Sequence, residues 1–196
     1  MKTLLFIAII LTTFTNQEGA KNSAEFRCQL MADKEVYKIG ELPRLTVMIY
    51  NDSDSAVYLI GSLDGSDVKW RYPYCYFTID KPRATKSNIQ RCGNMNTIRS
   101  ADFKQVKPGQ SFNPYEGIDN YGFFPDYNTT NKETFTSAGN YKIQFHYSTN
   151  SLDITKFIGD PLTSRNSSDS LKIHSLFHKV PKLELVSNEI AIKVEK

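Results

Sequence analysis

Cysteine is scarce in this 196-residue chain: three residues, Cys28, Cys75 and Cys92, with no CxxC spacing among them. That excludes a zinc ribbon and a thioredoxin-type redox pair, both built on closely spaced thiols. Histidine is as rare, with His146, His174 and His178 the only three. There is no GxSxG, so the strand–turn–helix presentation of a nucleophilic serine has no local signature. HExxH is missing too, because Ser175 stands where the glutamate would be. Like charges never run to five in a row, and the net charge of +3 is spread as single lysines. Nucleic acid is therefore not expected as a partner. No cofactor is implied by any motif. "LDGSDVKW" offers only Asp64 and Asp67, whereas a calcium loop needs five or more oxygen ligands, so it reads as a turn between strands.

Long hydrophobic runs are also missing, with one short exception at the start. In "MKTLLFIAIILTTFT" Lys2 precedes an apolar run from Leu4 to Leu11. Extended to Phe14, it stays well short of the ~20 residues that cross a bilayer. The pattern is that of a cleaved secretory signal over 1–20, with Thr13/Thr15 or Ala20 marking alternative cut sites. No integral membrane segment is expected after cleavage, and the expected location is secreted or periplasmic. About 175 residues then remain, enough for one domain over 24–196.

What the chain does have is alternation. "FRCQLMA" puts Phe26, Cys28 and Leu30 on one face, and "LPRLTVMIYN" does the same with Leu45, Val47 and Ile49. "NDSDS" is a turn cluster, followed by "AVYLIG" as a return strand. "KPGQSFNPY", "AGNYKIQFHYS" and "NEIAIKVE" follow, the last with Ile190, Ile192 and Val194 on one side. Short strands separated by Gly, Pro, Asn and Asp clusters predict an all-β sandwich of seven to nine strands. One stretch breaks the period. "SDSLKIHSLFHKVP" spaces Ile173, Leu176, Phe177 and Val180 at helical intervals, after possible caps and before Pro181. A short helix near 170–180 is expected there. His174 and His178 share one flank of it, but zinc normally takes a third ligand, so no metal site is assigned.

Aromatic residues cluster twice. "EGIDNYGFFPDYNTTNKET", between Tyr115 and Phe135, carries Tyr121, Phe123, Phe124 and Tyr127 without a strand pattern. Loops this long are usually functional or disordered, so these four rings are candidate binding residues, or a cover for an open sheet edge. "KWRYPYCYF" packs five rings into residues 69–77. Pro73 cannot donate a ladder hydrogen bond and belongs at an edge or bulge. A bulge there shifts the parity, turning Trp70, Cys75, Phe77 and Ile79 to the core and leaving Tyr74 and Tyr76 toward solvent. The competing reading makes Tyr74 and Tyr76 part of a tyrosine-lined ligand face. An inward Cys75 has Cys92 as its natural partner, and a disulfide there would contribute about 3 kcal/mol in the chain-entropy model. Three reduced thiols, or a bridge from Cys28, are the alternatives. Alternation with Phe26 and Leu30 marks Cys28 as a buried, inert thiol.

"DKEVYKIGELPRLTVMIYNDSD", from Asp33 to Asp54, resembles the opening of bacterial immunoglobulin-like domains: a Tyr, then Gly-Glu, then an alternating strand ending in Asn and a polar turn. "KPGQSF", "FTSAGNYKIQFHY" and "LVSNEIAIKV" resemble later strands of the same class, which includes bacterial immunoglobulin-like proteinase inhibitors. The resemblance covers about a third of the chain and implies a Greek-key sandwich. It carries over no active residue, and the inter-sheet disulfide of antibody domains is missing, because Ile143 stands two after Tyr141. In such sandwiches a tyrosine placed like Tyr141, after Gly139, bonds back to the preceding corner.

These features predict an exported, non-catalytic binding or adhesion module with a protein or carbohydrate ligand. The alternative is inhibition of a secreted protease through a sandwich loop. A metal-dependent enzyme ranks third. Asn51, Asn128 and Asn166 stand in glycosylation sequons.

Overall fold

Ten strands, two α-helices and one 3-10 turn (Ser100–Asp102) form among the residues that the computed structural model describes, namely 25–61, 71–82, 97–114, 134–158 and 167–196. The strands are β1 (Phe26–Ala32), β2 (Val36–Lys38), β3 (Leu45–Asn51), β4 (Val57–Ile60) and β5 (Tyr74–Asp80). They continue as β6 (Phe103–Val106), β7 (Ser111–Phe112), β8 (Gly139–Ser148), β9 (Glu184–Val186) and β10 (Ile190–Glu195). The helices are α1 (Thr155–Ile158) and α2 (Ser167–Phe177). The count exceeds the expected seven to nine because β2, β7 and β9 are only two or three residues long. Among the described residues no helix is long and apolar enough to cross a membrane.

One sheet runs β1-β3-β7, and a larger one runs β2-β10-β8-β5 with β9 also pairing β8. Alternation explains why the two sheets share a core. Phe26, Leu30, Val47 and Ile49 from the first meet Tyr141, Ile143, Phe145, Tyr147, Ile192 and Val194 from the second in one buried cluster. Each such large side chain contributes about 1.5–3 kcal/mol when fully buried. The expected inward faces of β1, β3 and β10 are the observed ones.

Partner choice differs from the expectation at β4. It does not return onto β3 but pairs antiparallel with β6, Val57 opposite Val106 and Ile60 opposite Phe103. The turn cluster is the cause. Asn51 is fully buried, and its carboxamide donates to the Ser55 and Val106 carbonyls at 2.8 and 2.9 Å, swinging the chain away to the second pair of strands. There α2 lays Ile173 and Phe177 against Ile60, Ile98, Phe103, Phe157 and Val180 as a second apolar cluster. The helical spacing read from the sequence is thus the one used.

Tyr141 hydrogen-bonds back as expected: its hydroxyl donates to the Ser137 carbonyl at 2.9 Å. Gly139, with φ +145°, lies so close to Pro82 that a Cβ would meet its ring at 2.5 Å.

Candidate binding cleft

The outer face of the large sheet is built by two pairings of the same strand. β8 pairs β5 on one side, with Tyr76 opposite His146 and Tyr74 opposite Ser148. On its other side it pairs β9, with Val186 opposite His146 and Glu184 opposite Ser148. Because side chains alternate along each strand, these residues share one face, while Cys75, Tyr147 and Leu185 turn to the core.

That face is not flat. Residues 71–73 rise beside it before β5 begins, and the backbone N–H of Tyr72 donates to the Lys156 carbonyl at 2.8 Å. Phe157, the buried residue of α1, tilts against Tyr72 with ring centroids 5.3 Å apart. Asp153 holds the start of α1 by accepting from the Thr155 N–H at 2.9 Å and from its hydroxyl at 2.6 Å. The result is a cleft of about 550 Å³ over the Tyr74–Tyr76–His146 row, walled by Arg71, Tyr72, Lys156 and Glu184.

The floor is a row of rings. Tyr76 and His146 stack face to face, centroids 4.3 Å apart and planes within 2°. Tyr74 tilts against Tyr76 at 5.5 Å. His146 Nε2 lies 3.2 Å from the Thr78 hydroxyl, and burial lowers the imidazole pKa, which favours the neutral ring. Arg71 is only 2% exposed, and its Nη1 donates to the Tyr72 carbonyl at 3.2 Å. On the opposite wall Glu184 accepts from the Asn150 side chain at 3.1 Å. The cleft therefore presents ring edges and the outer face of the stacked pair beside an ammonium and a carboxylate, with the Arg71 guanidinium buried in the wall. Such a surface suits an amphipathic ligand with a flat or ring-shaped apolar side.

Of the residues singled out from sequence, Tyr74 and Tyr76 come together here. The expectation that both stand toward solvent is corrected: Tyr74 is 9% exposed and Tyr76 half-buried. The cause is the cover from Arg71, Tyr72 and α1, which a strand-by-strand parity does not include. Cys75, Phe77 and Ile79 do pack on the core. Pro73, joined to Tyr72 by a cis peptide, sits just ahead of β5, an edge strand of its sheet. Tyr121, Phe123, Phe124, Tyr127, Trp70 and Cys92 lie outside the described residues, and so do the proposed Cys75–Cys92 bridge and the segment 1–20. His174 and His178 are exposed, and no group of three metal-ligating side chains occurs among the described residues.

Sequence reasoning missed Arg71, Lys156 and Glu184, and it gave His146 no binding role. One signal for His146 was available: in "QFHYS" it alternates with the core-facing Phe145 and Tyr147. No family model matches the chain, and neither a curated protein nor a solved structure is measurably similar to it.

Proposed function

We propose that the chain is an exported, non-catalytic binding module that holds a carbohydrate on the floor of this cleft. The stacked Tyr76–His146 pair carries the reading. Two parallel rings stacked on each other, one with a hydroxyl and one whose neutral form is favoured, leave their edges and the outer face of the pair for a sugar ring, which has an apolar CH face and a polar rim. Glu184 and Lys156 supply hydrogen-bonding groups at the wall. The apolar N-terminal run supports export. The Tyr141 bond to Ser137 supports an immunoglobulin-like arrangement of the strands.

The test is a titration of the isotope-labelled protein with a panel of soluble oligosaccharides, followed by NMR. Shifts should concentrate on Tyr74, Tyr76 and His146. Tyr76→Ala should weaken binding about tenfold, the equivalent of ~1.4 kcal/mol. Unchanged spectra across the panel, or shifts confined to other surfaces, would refute the reading.

A further inference from the structure

On the far side of β9 from the ring cleft, two strand edges face each other. β1 is an outer strand of its sheet, and the hydrogen-bond parity shows which of its groups point outward. The Leu30 N–H donates to Asn188 Oδ1 at 2.8 Å, and the Leu30 carbonyl accepts from Asn188 Nδ2 at 3.0 Å. Leu30 therefore turns its backbone away from β3. By the two-residue period, so do Cys28 and Phe26. The partner strand agrees: Asn51, opposite Phe26, gives its own N–H and carbonyl to Gln110 and Gly109.

β9 follows the same alternation. The Leu183 carbonyl accepts from the Thr149 N–H, and the Ser187 N–H donates to the Phe145 carbonyl, both at 2.9 Å toward β8. Glu184 and Val186, at the alternate positions, point their backbone groups the other way, toward β1. No ladder joins β1 to β9 among the described residues. Between them runs a groove of about 440 Å³, lined by Phe26, Cys28, Leu185 and Val186 with Arg27 and Glu184 at its rim.

One end of the groove shows what fits it. The Asn188 amide offers Leu30 one acceptor and one donor, as a peptide group of a neighbouring antiparallel strand would. Ser187 holds that corner in place: its hydroxyl accepts from the Phe145 N–H at 2.9 Å and donates to the Asn188 carbonyl at 2.8 Å. Beyond Asn188 the edge groups of Cys28 and Phe26 continue without such a substitute among the described residues. The core is thin there as well. Cys28 faces inward yet stays half-buried, and Val186 is 54% exposed.

We propose that this groove takes an extended polypeptide segment of a partner protein, which continues along β1 the pairing that Asn188 begins. Its backbone bonds Cys28 and Phe26, and its alternate small apolar side chains cover Cys28 and Leu185. Backbone pairing supplies the affinity and the side-chain row the selectivity, as in strand addition generally. The inference is independent of the ring cleft and of its ligand.

The experiment selects binders from a phage-displayed dodecapeptide library on the full chain and follows amide exchange with the synthesised peptides. The Cys28 amide should exchange freely in the peptide-free protein and slow at least about tenfold at saturation. A twin peptide methylated on alternate backbone nitrogens should give no protection. Cys28→Pro removes an outward N–H, which an edge strand tolerates, and exchanges one small half-buried side chain for another; it should abolish binding while leaving the circular dichroism unchanged. If that variant misfolds, the methylated twin decides alone. Four results would overturn the proposal. These are no peptide that protects Cys28, equal protection by the methylated twin, binding that survives Cys28→Pro, and a Cys28 amide already protected without peptide. In the last case the chain's own segment covers the edge if protection is independent of concentration, and a second copy covers it if protection follows dimerisation in sedimentation.

Discussion

The Asn51 carboxamide reaches across 55 residues of chain to the Val106 carbonyl at 2.9 Å, joining β3 to β6 from a fully buried position. All its hydrogen-bonding capacity is used locally. Nδ2 also serves Ser55, and Oδ1 accepts from the Ser53 N–H at 3.1 Å and from its hydroxyl at 2.6 Å. Replacement by alanine strands two carbonyls and leaves a void, so Asn51→Ala should cost about 2–4 kcal/mol in urea unfolding. A loss below about 0.5 kcal/mol would mean that water replaces the amide. The same burial bears on the sequon that Asn51 begins: a folded chain offers no free amide nitrogen there. Mass spectrometry of protein from a glycosylating host should find Asn51 unmodified.

His146 has its pKa lowered below 6.5 by burial. The folded state thus binds the proton less readily than the unfolded one. Its contribution to stability is complete above pH 6.5 and is lost as the pH falls through the folded value. NMR titration of the ring should place its midpoint below 6.5. Tyr76→Ala, which removes the stacked ring, should move it upward. A midpoint above 6.5 in the intact protein would contradict the packing at the floor of the cleft.

Burial pushes the Cys28 thiol up to about 12. Stability from keeping it neutral is therefore present below the unfolded value of 9.0 and falls away as the pH climbs toward 12. At pH 8 thiol exceeds thiolate by about ten-thousandfold, and the thiolate is the nucleophile. Iodoacetamide should label Cys28 in the native chain at least about a hundredfold more slowly than in urea. Native labelling as fast as that of a free peptide would contradict the burial of the thiol.

Much of this architecture was legible in the sequence because it rests on local periods. Alternation in "FRCQLMA", "LTVMIY" and "IAIKVE" selects the buried face of β1, β3 and β10, and the spacing of Ile173 and Phe177 selects the buried side of α2. A strand shows its inward row whatever its neighbours are, because the side-chain period is set by the pleat. The Tyr141 bond to Ser137 was readable for the same reason: four residues separate the partners.

Partners far apart in the chain were decided only by the tertiary structure. Nothing in "AVYLIG" says that it leaves β3 for β6, since either edge can satisfy its backbone; the buried Asn51 amide makes the choice. Nor does "KWRYPYCYF" say that Tyr74 will be covered. Its cover comes from its own preceding turn held to Lys156, and the face it lines needs β8 and β9 as well. The bridge from Asn188 to Leu30 spans 158 residues. Sequence determined which side of each strand is apolar, a matter of local geometry. Which edges meet, which stay open and which rings share a cleft depend on contacts between distant segments, whose energies exist only once the sheets have closed on each other.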